Sequence, residues 1–224
     1  MNKAVFPAPD ISRVINALYA HAEAEMPQLP QAIVPLGELF GAYDLSCREL
    51  PDLSLAQVYA AQGETFTGQD EKLAGFLFAT PLRGVIYINR SDPIPRRRFS
   101  TAHELGHYLL HFRPVFELAA QEGMEILDLV EAYPYVEDEE KGDNNQLGWV
   151  TPMASPLLPP LEQMEAEADR FAAELLMPEL LVRALWERYN HLLRNDGLVR
   201  RMSSEMMVSR AAMRRRLHGM GVPV

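Results

Sequence analysis

An α+β fold is what this sequence predicts, and three observations predict it. A helical pattern opens the chain, short runs rich in β-branched and aromatic residues follow, and strong helical patterns fill the C-terminal half. The two clearest strand runs, LAGFLFAT and GVIYINR, are separated only by PLRG and read as a hairpin. A small sheet packed on a buried helix, with a pair of short helices at the C-terminus, is the expected architecture. The chain shows no internal repeat and no low-complexity tract.

Each element has its own local reason. Asp10 and Ser12 offer a helix start, and Ile11, Val14, Ile15, Leu18 and Tyr19 recur at helical spacing, so a first helix is expected over about 10–25. VPLGELFGAY reads as a short helix and DLSCREL as a strand. After the hairpin, SDPIP is a loop, and RRRFSTAHELGHYLLHF is a helix expected to end at Pro114. Residues 114–160 read as an irregular acidic insertion or lid, with prolines at 134, 152, 156, 159 and 160. LEQMEAEADRFAAELLM is a second strong helix stopped by Pro178, and PELLVRALWERYN a third with proline in its first turn. The segment DGLVRRMSSEMMVSRAAMRRRLHGMG gives two short helices, the second capped by Ser209 and closed by Gly219. The domain reading is therefore 1–193 with an insertion at 114–160, and 194–224 as a short-helix pair packed on it.

Composition narrows the function classes. The 224 residues suit one domain with a substantial core, and no apolar run approaches the roughly 20 residues of a membrane helix. A single cysteine, Cys47, and no signal-like N-terminus make the cytoplasm the expected location. The same lone thiol excludes Cys-rich zinc patterns, so any metal must take His and carboxylate ligands. The net charge of −10 is unevenly spread. Residues 114–160 hold ten acidic residues and one lysine, while residues 194–216 hold seven arginines against Asp196 and Glu205.

Three of the six histidines fall between positions 103 and 111, in HELGHYLLH. Residues four apart on a helix are displaced by roughly 40° and 6 Å, so His103 and His107 share a face and can reach one zinc ion. Glu104 lies roughly 100° round from His103, beside the metal without binding it. Zinc lowers the pKa of a bound water to about 7, and Glu104 is placed to take its proton and pass it to a leaving amine. The flanks Phe99, Leu105, Tyr108, Leu109 and Leu110 bury this helix, where two imidazoles without partners would be costly. His111 reads as a helix-end residue facing terminal carbonyls, with a transition-state or supporting role as its alternative. The longer pattern HExxHxxGxxH is absent, since Leu110 and Arg113 stand at its Gly and third His positions.

The third ligand is sought on the second strong helix. Measured from Glu165, residues Ala168, Asp169, Ala172 and Leu176 fall within about 60°, whereas Glu167 and Glu174 fall opposite and are expected in solvent. Glu165 is thus the expected inward carboxylate, and Glu162 is its competitor. Ala168 and Ala172 let the helix pack closely on the HExxH helix. Asp169 is placed to accept the free N–H of a ligand histidine.

RRRFSTAHELGHYLLH followed by EAEADRFAAELLMP resembles the ImmA/IrrE family of zinc-dependent metallopeptidases over roughly 40–112 and 162–220. The resemblance implies His103, His107 and Glu165 as zinc ligands, Glu104 as general base and a minimal gluzincin-like fold. It also implies cleavage of a DNA-binding transcriptional repressor. The acidic Pro-rich stretch between the motifs departs from the family's shorter connection. The alternative function is a non-catalytic regulator, or an antitoxin-like protein, acting by binding protein or DNA. The acidic stretch is a candidate surface for a basic partner. The C-terminal arginines, Arg214 to Arg216, have helix-turn-helix proportions, although packing or pairing with acidic residues is favoured over DNA contact.

Overall fold

Asp10 caps the first helix, α1 (Ile11–His21), its side chain accepting from the Arg13 N–H at 3.0 Å. The computed structural model describes residues 8–126, 129–134 and 155–223. Along it follow α2 (Leu36–Gly41), β1 (Leu45–Leu50), α3 (Leu55–Ala61), β2 (Leu73–Ala79), β3 (Gly84–Asn89) and α4 (Ile94–His107). After a π-helical turn (Tyr108–Phe112) come α5 (Arg113–Glu122), β4 (Leu129–Pro134), α6 (Leu161–Leu176), α7 (Glu179–Tyr189), α8 (Asn195–Met206) and α9 (Arg210–Gly219). The fold is α+β, as the order of patterns predicts. Among the described residues, no helix is long and apolar enough to cross a membrane.

The sheet runs β1-β3-β2-β4. β2 and β3 form the expected antiparallel hairpin, with Gly75 opposite Ile88 and Ala79 opposite Gly84, while β1 pairs parallel to β3. Both faces of the sheet are covered. Leu77, Ile86 and Ile88 join the main core, and Phe76, Tyr87, Leu53, Val58 and Leu73 form a smaller one. Strict alternation would put Leu73 on the face of Leu77, but a register shift between Leu73 and Gly75 against β4 turns it to the other side. Gly75 is left on the face that meets α4.

Two expectations for residues beyond 113 are corrected. The helix does not end at Pro114. The π turn resets its hydrogen bonding, with the Arg113 N–H donating to Tyr108 O, so Pro114 falls in the first turn of α5, where no N–H is required. α5 then closes on Gly123, whose φ of 68° suits glycine. The stretch 114–160 is not irregular throughout, because it also supplies β4 as the partner of β2. Residues 127–128 and 135–154 of the acidic insertion lie outside the described residues.

The main core runs from Ile11 to Val222 and includes Met202, Met206, Met213 and Leu217 of α8 and α9. Its centre is the contact of α4 with α6. A Cβ at Gly106 would lie 3.0 Å from Phe171 Cδ1 and 3.2 Å from the Ala168 Cα, so the two helices meet at a position without a side chain. Cys47 is half-buried beside this core, and burial, with Glu49 adding to it, pushes its thiol up to about 11. A raised thiol keeps the thiolate fraction small at neutral pH. Gly106→Val should lower stability by about 1–3 kcal/mol, read as a shift in urea midpoint at unchanged m-value, because Ala168 and Phe171 would be forced apart.

Candidate metal centre

α4 delivers His103, Glu104 and His107 from one buried stretch. All three are fully buried, and every residue of the helix from Ser100 to His107 is buried. α6 approaches through the Gly106 contact and brings Glu165 alongside. His103 Nε2 and His107 Nε2 are 3.0 Å apart, and the Glu165 carboxylate oxygens lie 3.4 Å from the first and 3.3 Å from the second. One donor atom from each residue therefore lies within 4.8 Å of the others. Solvent reaches the triad from the α6 side, where the Glu165 side chain is 23% exposed.

These separations suit one small cation. Bonds of about 2.0–2.1 Å in a tetrahedral arrangement place ligand atoms roughly 3.3 Å apart. Two imidazole nitrogens and one carboxylate oxygen form a three-ligand set that leaves a position for water or substrate, the donor chemistry of catalytic rather than structural zinc. Glu162, the competing carboxylate, is exposed on the first turn of α6.

The charges on the triad are set by its neighbours. Burial opposes protonation of His103. The hydrogen bond to Asp169 Oδ1 at 2.9 Å and the nearby Glu165 outweigh it and push its pKa up to about 10. Burial likewise opposes ionisation of Glu165, but hydrogen bonds from His103 and His107 hold it well below the usual carboxylate range. Without an ion, then, a protonated His103 sits between two carboxylates.

Three further residues surround the triad, and two of them depart from what the sequence leads one to expect. Asp169 Oδ1 lies 2.9 Å from His103 Nδ1, and its side chain is 55% exposed. Glu167 is not in solvent. It is buried, with Oε2 3.0 Å from His111 Nε2 and Oε1 accepting from Gln163 Nε2 at 2.9 Å. His111 is not a helix end facing carbonyls. It lies in the π turn, 2% exposed, with Nδ1 3.3 Å from His107 Nδ1. Burial and the neighbouring His107 lower its pKa to about 2, so it is neutral.

The misplacement of Glu167 has a geometric cause. The buried positions of α6 are Met164, Glu167, Ala168, Phe171, Ala172, Leu175 and Leu176. At about 100° per residue they span roughly 180° centred near Ala168, not Glu165. Glu165 and Asp169 stand at one margin of that arc and Glu167 at the other. A wheel centred on the small and aromatic residues, Ala168, Phe171 and Ala172, would have shown this.

Gly75 is a site residue that sequence reasoning missed. It faces α4 from β2, and a Cβ there would collide with Glu104 Oε1, so the carboxylate occupies space that only glycine leaves. The adjacent strand is the sole sequence signal, since an isolated glycine in an apolar run marks a close approach.

Cation binding should be linked to proton release. A ligand imidazole must be neutral, so an ion displaces the proton that His103 holds below about pH 10. Zinc affinity should therefore rise with pH across the neutral range. Titration calorimetry at pH 7 in buffers of different ionisation enthalpy should report about one proton released per zinc.

Comparison with known proteins supports this chemistry. The family model described as IrrE N-terminal-like domain, a peptidase family, matches residues 64–126 and 155–218. The two matched segments hold HELGH and α6, and the residues between them fall in the acidic insertion. No curated protein matches the chain. Matched over more than half its length, with a His103, His107 and Glu165 cluster fit for a metal, the chain belongs to the IrrE N-terminal-like family of metallopeptidases.

Proposed function

We propose that this protein is a zinc-dependent metalloendopeptidase with a narrow protein substrate, a DNA-binding transcriptional repressor of the helix-turn-helix kind. The observation that carries the reading is the convergence of His103, His107 and Glu165, on two helices, beside a glutamate that follows the first histidine. A zinc ion held by these three residues supplies Lewis acidity towards water and the scissile carbonyl. Glu104 is the general base: it takes a proton from the attacking water and returns it to the departing amine nitrogen. Its burial against Gly75 limits its rotamers and keeps the carboxylate in a poorly solvated place, where proton transfer is most effective. Asp169 holds His103 through Nδ1 and leaves Nε2 for the ion.

On this reading residues 1–193 form a minimal zincin-like domain working in the cytoplasm, and 194–224 pack on it. We assign α8 and α9 a packing role although their proportions are those of a helix-turn-helix. Arg214 pairs with Asp196 Oδ1 at 2.5 Å and Arg216 Nε donates to Met177 O at 3.0 Å, contacts made within the chain. The competing reading, a regulator or antitoxin-like protein acting only by binding, keeps the metal fold and needs no base.

Glu104→Gln separates the two. It should keep one zinc and its melting temperature while cleavage falls on the order of 10²–10⁴-fold. Labelling of new N-termini, after incubation of a cell extract with wild type or variant, reads the difference. Equal sets from both proteins would count against catalysis. Gly75→Ala is the subtler test: the added methyl should displace the Glu104 carboxylate and lower turnover on the order of 10²-fold with zinc content unchanged.

A further inference from the structure

His103 and His107 both turn Nε2 towards the triad, so each has an Nδ1 directed elsewhere. For His103 that nitrogen meets the Asp169 carboxylate at 2.9 Å. For His107 the neighbour is a second imidazole, His111, at 3.3 Å between Nδ1 atoms. His111 continues through Nε2 to Glu167 at 3.0 Å, and Gln163 anchors the other oxygen of Glu167 at 2.9 Å. The two candidate ligands are thus supported by different chemistry, an exposed carboxylate for one and a buried histidine–glutamate pair for the other.

The direction of the hydrogen bonds along this chain follows from the groups in it. His107 turns Nε2 to the triad, so as a ligand it keeps its lone pair there and carries its N–H at Nδ1. The atom that faces this N–H is Nδ1 of His111, which accepts it. His111 then has Nε2 for its own N–H, and a Glu167 oxygen accepts it there. We propose that His111 and Glu167 are positioning residues that hold His107 in the Nδ1–H tautomer, so that its Nε2 lone pair faces the cation. The inference rests on the metallopeptidase reading of the triad. The π turn contributes geometry, since it carries His111 on from His107 with ring centroids 5.2 Å apart.

The test compares two substitutions at His111 and inspects the wild type directly. His111→Phe keeps an aromatic ring but has no acceptor, so zinc affinity should fall on the order of 10–100-fold. His111→Gln gives up the ring but restores an acceptor oxygen and should recover most of that affinity. A role in packing alone predicts the reverse order, and full affinity in the Phe variant overturns the proposal. Long-range proton–nitrogen correlation on zinc-loaded, histidine-labelled wild type should show His111 protonated at Nε2 only. Protonation at Nδ1 overturns the proposal even if both variants fail to fold. Failure of the triad reading looks different: wild type would take up no zinc, or His103→Ala would keep it, and the proposal would fall with it.

Discussion

The close contact of α4 with α6 is the constraint on which the rest depends. Imidazole and carboxylate side chains are short, so residues on two helices can share one small ion only where the backbones run near each other. Gly106 against Ala168 and Phe171 makes that approach. On the opposite side of α4 the sheet presses as closely, with Gly75 leaving room for Glu104. The site helix is therefore clamped at two positions without a side chain, Gly106 on α4 facing α6 and Gly75 on β2 facing α4. Such a clamp fixes the relative places of ligand and base by packing, which is more rigid than any loop could make it.

How much of this was legible in the sequence depended on the range over which each residue acts. His103, Glu104 and His107 lie on one turn of one helix, where spacing alone relates them. Glu165 was reachable because helical periodicity carries information along α6, although its centre was misjudged by some 60°. Glu167 and His111 were misread for a linked reason: each is satisfied by the other, and a long-range pair cannot be seen from either helix separately. β4 escaped because a short strand ending in proline, LVEAYP, carries a weak period-two signal and is defined mainly by its partner β2. Pro114 reads as a stop because proline usually is one, and only the π turn lets the helix pass it.

Three histidines spaced four apart on one continuous helical run have been driven to different states by what stands beside them. His103, between Asp169 and Glu165, is pushed towards its charged form. His111, buried and next to His107, is pushed towards its neutral form. Their sequence neighbours are similar, so the difference comes from α6: one margin supplies the two carboxylates near His103, and the other supplies Glu167 as an acceptor for His111. The arrangement lets one helix serve two purposes. At His103 a proton occupies the place a cation would take, which balances the negative charge of Glu165 until it is displaced. At His111 no proton need move, and the ring acts as a fixed hydrogen-bond link. Burying so many ionisable groups is tolerable only because each faces a partner of complementary charge or hydrogen-bonding sense. The same requirement makes the cluster intolerant of piecemeal change, since removing one member leaves a buried neighbour without the group that satisfied it.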